Sequence, residues 1–194
     1  MNAIVPTLDL APALVVLPGP RAAVCDGAGA RTLSNSDART LALSAPVVVA
    51  HAGLTARRLE LQPPARSPHI FDALELFAFV RPAQFCAPSA VGLARALGRP
   101  EPKGVEEQAA ALRDGCAVLL EEVGQSPWPT REDALATAET LQRAGWAWGG
   151  AVVNALRSQA VRDGHRGSGL DAWSRIAEWE DQAPAGEAPP KPPG

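Results

Sequence analysis

The chain has 194 residues, 46% of them hydrophobic and 20% charged, which is the composition of one globular domain plus an appendage and not of a large multidomain enzyme. Its 18 basic and 21 acidic residues leave a net charge of −3, so no strong overall positive field draws it to phosphates or anionic membranes. Aromatics are only 5% and Tyr is missing altogether, which argues against a single-strand binder built on stacking.

The first half alternates short β-like runs with helical patterns. Ala13 to Leu17 is a β-branched apolar run closed by Pro18-Gly19-Pro20, and Arg21 to Asp26 is a second run ending at Gly27; together they predict a hairpin. Arg31 to Leu33 adds a candidate edge strand. Ser34 with Asp37 gives a capping-box signal for a short helix through Leu43. Val47 to Ala50 is apolar at every position, the pattern of a strand covered by helices on both faces. Gly53 to Leu61 can make one or two helical turns before Pro63, Pro64 and Pro68 impose a loop.

Ile70-Phe71-Asp72 reads as a strand end, followed by a helix in which Leu74, Phe77, Ala78 and Val80 supply the apolar face until Pro82 stops it. Ser89 caps a helix carrying Val91, Leu93, Ala94 and Leu97, with Gly98 as its stop. Gly104 to Val123 is a long helix whose Ala109, Leu112, Cys116, Leu119, Leu120 and Val123 recur at helical spacing and face the sheet.

Beyond Gly124 the pattern is all-helical. Thr130 with Asp133 is another capping signal, and Leu135, Ala138 and Leu141 form a stripe toward Trp146 and Trp148. A second helix holds Val152, Val153, Leu156 and Ala160, and Ser168 with Asp171 caps a third, whose Leu170, Trp173, Ile176 and Ala177 share a face. Ala183 to Gly194 contains only Pro, Ala, Gly, one Glu and one Lys, a semi-rigid linker that reads as leading into a longer parent. The predicted organisation is an α/β domain over residues 8–124, a helical extension over 127–182 and a disordered Pro-rich linker over 183–194.

The longest apolar stretches fall far short of the ~20 residues of a membrane helix, and Met1 to Asp9 lacks a basic region ahead of its apolar residues. A cytoplasmic protein without a membrane partner is expected. Cys25, Cys86 and Cys116 are far apart and without CxxC spacing, so they read as reduced core thiols. Neither a GxxxxGK[ST] phosphate loop nor HExxH, GxSxG or paired CxxC occurs, which removes the motor, zinc-protease, serine-hydrolase and zinc-ribbon readings for this chain.

From Val47 to Val123 the order strand, His51, short helix, proline loop, Phe71 to Leu76, a helix ending in Leu97-Gly98 and a helix with Asp114 resembles the DEDD-type 3′-to-5′ exonucleases. The resemblance implies a ribonuclease H-like fold, a mixed sheet flanked by helices. In that family four carboxylates hold two metal ions that flank the scissile phosphate. The first strand should bear Asp-x-Glu, but here it is Ala13-Leu14-Val15-Val16-Leu17. The second motif pairs a His with Asn and places an Asp five residues on; here His51 is followed by Ala52, and Ala56 stands at the Asp position. The last motif sets a His or Tyr base ahead of an Asp; Asp114 matches the Asp, with Ala109 and Ala110 at the base positions. His51 and Asp114 are thus vestigial candidates, the latter more simply a local cap or ion pair, and no catalytic residue or metal ligand is assigned.

The blocks Phe71 to Cys86 and Gly169 to Glu180 are similar to the N-terminal region of DinG-type ATP-dependent DNA helicases of alphaproteobacteria. That resemblance implies an inactive exonuclease-like accessory module, with the helicase motor in cis as its partner. ATP and Mg are expected only in that motor, and no cofactor in this chain. Arg57, Arg58 and Arg66 are candidates for weak, sequence-independent DNA contact; Trp173, Ile176 and Trp179 are candidates for docking on the motor. Two alternatives stay open: an active metal-dependent exonuclease with atypical ligands drawn from Asp26, Asp72, Glu75 and Asp114, and a purely structural interdomain module without DNA binding.

Overall fold

The computed structural model describes residues 11–61, 69–125 and 130–162. Arg66, Trp173, Ile176, Trp179, the capping pair Ser168 and Asp171, and the linker 183–194 lie outside the described residues.

The chain opens with β1 (Ala13–Leu17), which turns at Gly19 into β2 (Arg21–Asp26) and then β3 (Gly29–Leu33). Helix α1 (Asn35–Ser44) leads to β4 (Val47–Val49), and α2 (Ala52–Arg58) to β5 (Ile70–Asp72). Five further helices follow: α3 (Ala73–Val80), α4 (Ala90–Ala96), α5 (Val105–Gly124), α6 (Thr130–Arg143) and α7 (Gly149–Arg162). The sheet is mixed and five-stranded in the order β3-β2-β1-β4-β5. β2 runs antiparallel to both neighbours, while β1, β4 and β5 are parallel.

Side chains alternate across a strand, and here both faces of the central strands are dry. Ala13 and Val15 of β1, Ala23 and Cys25 of β2 and Val48 of β4 enter the core shared with α3, α4, α5, α6 and α7. Leu14 and Val16, Ala22, and Val47 and Val49 enter the smaller core under α1 and α2. The apolar run of β4 was legible for this reason: a strand covered on both sides has no polar position to spare.

α5 is the main cover of the sheet. Its predicted stripe is buried throughout, and Gly115 has no side chain because a Cβ there would come within 2.8 Å of Leu93 of α4. Arg81, at the C-terminus of α3, forks onto Glu122 of α5 with Nε–Oε1 at 3.0 Å and Nη2–Oε2 at 2.9 Å, and donates to the Ala96 carbonyl at 3.0 Å. One guanidinium thereby ties three helices.

Three sequence expectations need correction. On α3 the buried residues are Ala73, Leu76 and Phe77, while Leu74 and Val80 are half-buried and Ala78 is exposed. All residues of this helix except Glu75 are apolar, so its periodicity carries no phase, and packing on α5 chooses the face. On α6, Ala138 is buried but Leu135 is half-buried and Leu141 is 36% exposed, because α6 packs on α7 rather than on the sheet. At α1, Ser34 Oγ accepts from Asp37 N–H at 3.1 Å as expected, but the Asp37 carboxylate accepts from the Ser34 hydroxyl at 2.7 Å. Asp is one methylene shorter than the Glu of a reciprocal box and turns to the hydroxyl instead.

Cys25 and Cys116 are buried, Cys86 is half-buried, and all are free thiols. Among the described residues no helix is long and apolar enough to cross a membrane.

Candidate functional site

The C-terminal ends of β1, β4 and β5 point the same way. His51 leaves β4 in an extended conformation, φ −153° and ψ 119°, and becomes the N-cap of α2. Its Nδ1 accepts from Leu54 N–H at 3.2 Å. By accepting from a backbone donor of the first turn, His51 satisfies a helix end before it does anything else. Gly53 makes room for the ring, since a Cβ there would sit 3.1 Å from His51 Cε1.

Asp72 ends β5 and is the N-cap of α3. Its Oδ1 accepts from Leu74 N–H at 2.9 Å, and its Oδ2 accepts from Ala52 N–H, the first residue of α2, at 2.8 Å. One carboxylate therefore serves two helix N-termini, where backbone donors and helix dipoles favour negative charge. Its own carbonyl accepts from Trp148 Nε1–H at 2.7 Å, and the Trp148 ring meets Phe71 edge-on at 5.1 Å. Cys116 is close by: burial pushes its thiol pKa up, and the Asp72 charge adds to the effect. That thiol is no nucleophile.

Glu75, one turn along α3, accepts from Trp146 Nε1–H at 3.1 Å, and Trp146 rests on Phe79 at 5.1 Å. The sequence reading placed Trp146 and Trp148 at the end of a helical stripe and missed that both indoles bind the strand-to-helix junction of residues 71–75. The available signal was chemical: a buried Trp needs an acceptor for its N–H.

Asp114 stands on the exposed face of α5, where no hydrogen bond or ion pair joins it to another of the described residues. Its charge is felt at Cys25 of β2, whose thiol is pushed up by burial and by Asp114 and Asp26, against the pull of Arg113. His51 follows β4 as the N-cap of α2, whereas Asp114 lies on α5 near Cys25 of β2, with β1 between those two strands, so the two vestigial candidates come from different elements without a hydrogen bond between them.

The two metal ions that the exonuclease resemblance implies do not fit this donor set. β1 carries no acid at all, its Ala13 and Val15 packed in the core, and Ala56, at the position where the resemblance asks for an Asp, is buried. The atypical carboxylates are scattered and, but for Asp114, engaged elsewhere: Asp26 binds Arg31 at 2.6 Å, Asp72 caps two helices and Glu75 holds Trp146. Among the described residues no group of three His, Cys, Asp or Glu is placed to hold a metal ion.

Arg57 and Arg58 lie in the last turn of α2 and are exposed. Arg58 Nη1 also donates to the Val16 carbonyl of β1 at 2.5 Å, and Arg39 of α1 donates to the carbonyls of Leu59 and Glu60 at 3.0 and 3.1 Å. Guanidinium groups thus gather at the negative end of α2, and among the described residues there Arg57 makes no hydrogen bond or ion pair of its own.

No protein-family model, curated protein or solved structure matches this chain. The fold itself defines the class: an α/β protein with a mixed five-stranded sheet between helices.

Proposed function

We propose that the chain is a catalytically inactive, exonuclease-like accessory module of an ATP-dependent DNA helicase, positioning DNA or docking on the motor, which would lie in cis and supply ATP and Mg. The reading of a ribonuclease H-like domain is supported by the strand order β3-β2-β1-β4-β5 with β2 alone reversed. The observation that carries the loss of activity is β1, where Ala13 and Val15 are core residues packed under α5. A carboxylate in either place would be an unpaired buried charge.

Arg57 is the residue on which DNA contact rests. Fluorescence anisotropy with a labelled single strand should show binding at low salt that weakens with a log–log slope of about −0.7 per phosphate contacted. Arg57→Ala should reduce that slope by roughly one contact. Degradation of the same strand with Mn²⁺, lost on Asp114→Ala, would overturn the inactive reading. A purely structural module is the second reading, and a specific observation favours it: Arg58 and Arg39 already bind backbone carbonyls. Its signature is no DNA affinity at low salt together with tight binding to the motor supplied in trans.

A further inference from the structure

Aspartate is followed by glycine at Asp26-Gly27, Asp114-Gly115 and Asp163-Gly164, the last of which lies outside the described residues. Such a step has a chemistry of its own. The peptide nitrogen of the glycine can bond to the aspartate side-chain carbon Cγ and close a succinimide ring, and glycine obstructs this least because it has no Cβ. The surrounding fold decides whether the ring forms.

At Asp114-Gly115 the nitrogen is occupied. Both residues lie inside α5, where the Gly115 N–H is held in the helix ladder, and Gly115 is packed against Leu93. Asp26-Gly27 is placed differently. Asp26 and Gly29 are the last pair of the β2–β3 ladder, and Gly27 and Ala28 form the exposed loop between them. The Asp26 side chain is 28% exposed, within reach of water. Its Oδ1 accepts from Ala28 N–H at 2.9 Å, which folds the carboxyl back over the Gly27 peptide. A Cβ built on Gly27 meets nothing within 4 Å, so the turn is open around the attacking residue. The second oxygen, Oδ2, is held by Arg31 Nη1 at 2.6 Å.

We propose that Asp26-Gly27 is a site of spontaneous isoaspartate formation in the folded chain, and that Arg31 is the residue that slows it. The reaction needs only water. The Gly27 nitrogen bonds to Asp26 Cγ, and its proton leaves with the hydroxyl of the neutral carboxyl as water. A water molecule then opens the ring. Attack at Cγ breaks the bond from nitrogen to Cγ and restores aspartate; attack at the main-chain carbonyl carbon of Asp26 breaks its bond to nitrogen and leaves the backbone running through Cγ. Arg31 opposes ring closure in two ways. Its guanidinium, with the Ala28 N–H, holds the carboxyl below the usual carboxylate range, and an ionised carboxyl has no hydroxyl to lose. Its bond to Oδ2 also restrains the side-chain rotation that closure requires.

The product alters the sheet. Isoaspartate lengthens the main chain by one methylene at the last ladder pair and moves the carboxylate onto Cα, so the bonds from Ala28 and Arg31 lose their acceptor. β3, at the edge of the sheet, is then loosened at its start.

The test incubates the full chain in heavy-oxygen water at neutral pH and reads tryptic peptides by electron-based fragmentation, which distinguishes isoaspartate from aspartate. Cleavage after Arg21, Arg31, Arg113 and Arg131 puts the two described steps in separate peptides. Residue 26 should gain one heavy oxygen as isoaspartate accumulates, at least about tenfold ahead of residue 114, whose helix must open first. Arg31→Ala should raise the ratio of the two rates about two- to fivefold, the weight of an exposed ion pair, while Arg31→Lys, which keeps the cation, should stay near the parent. Gly27→Ala, which the open turn admits, should slow residue 26 severalfold. The ratio to residue 114 separates a local effect from loosening of the whole fold, which would speed both. Isomerisation at residue 26 no faster than at residue 114 overturns the site, and a ratio in Arg31→Ala no higher than the parent's overturns the role of Arg31.

Discussion

Asp72 shows how a residue that reads as chemistry is claimed by architecture. It stood with Glu75 among the possible atypical metal ligands, yet it is only 8% exposed and both of its oxygens are engaged by backbone donors. Hydrogen bonds to a charged acceptor contribute about 1.5–3 kcal/mol each. Asp72→Ala is therefore expected to cost about 3–5 kcal/mol in urea unfolding, and Asp72→Asn, which keeps one accepting oxygen, about 1–2 kcal/mol. An alanine variant within about 1 kcal/mol of the parent would show that the two helix ends are held by other means.

Asp26 offers a pH test at the same scale. The Arg31 guanidinium, with the Ala28 N–H, holds its carboxyl below the ordinary 3.8. A carboxyl with a depressed folded pKa adds stability above its unfolded value and loses it as pH falls through the folded one. The pair is solvent-exposed, so the loss on acidification below about pH 4 is small and salt-sensitive. In carboxyl-carbon NMR the Asp26 midpoint should lie under 3.8 and rise in Arg31→Ala; a midpoint that ignores Arg31 would break the link.

Among the elements, two helices end in the same way with different residues. α4 closes through Arg99 N–H to the Ala94 carbonyl at 2.8 Å, with Gly98 at φ 66°. α2 closes through Leu61 N–H to the Ala56 carbonyl at 2.9 Å, with Glu60 at φ 52°. Both are Schellman ends, and only the first has the residue that takes a left-handed φ without cost. Glu60→Gly is thus expected to stabilise by about 0.5–1 kcal/mol and Gly98→Ala to destabilise by about 1 kcal/mol. Opposite shifts of the thermal midpoint, up for the first and down for the second, check this. The sequence revealed Gly98 as a stop because glycine is the usual left-handed residue; nothing marked Glu60, which follows the buried Leu59. α5 was legible down to individual residues because its apolar positions alternate with polar ones, whereas α3, apolar almost throughout, had no phase to read.

At the scale of the molecule, the change to all-helical pattern after Gly124 is a change of element type, and the core runs across it. Trp148, Val152, Val153 and Leu156 pack in the same cluster as Val48, Phe77 and Leu119, and Gly124 lies against Ala155 with a virtual Cβ 3.2 Å from its carbonyl oxygen. A chain ended at residue 125 would expose this apolar surface and leave the Asp72 carbonyl without its indole. It is expected to lose the cooperative unfolding transition by circular dichroism, and a truncated chain with the parent's midpoint would mean that the helices merely rest on a finished domain.

By itself the sequence determined the hairpin, the doubly covered central strand, the caps at Ser34 and Ser89 and the phase of α5, since these depend on residues near one another in the chain and on the alternation of apolar with polar positions. It also determined that β1 brings no carboxylate to the sheet. Only the tertiary structure decided the long-range roles of Asp72, Glu75 and Arg58, because those partners come from separate elements: Ala52 for Asp72 is 20 residues away, Val16 for Arg58 is 42 and Trp146 for Glu75 is 71. A polar side chain in a sequence advertises donors and acceptors without saying which will be claimed; folding assigns them, since a buried polar group left unpaired costs more than almost any alternative.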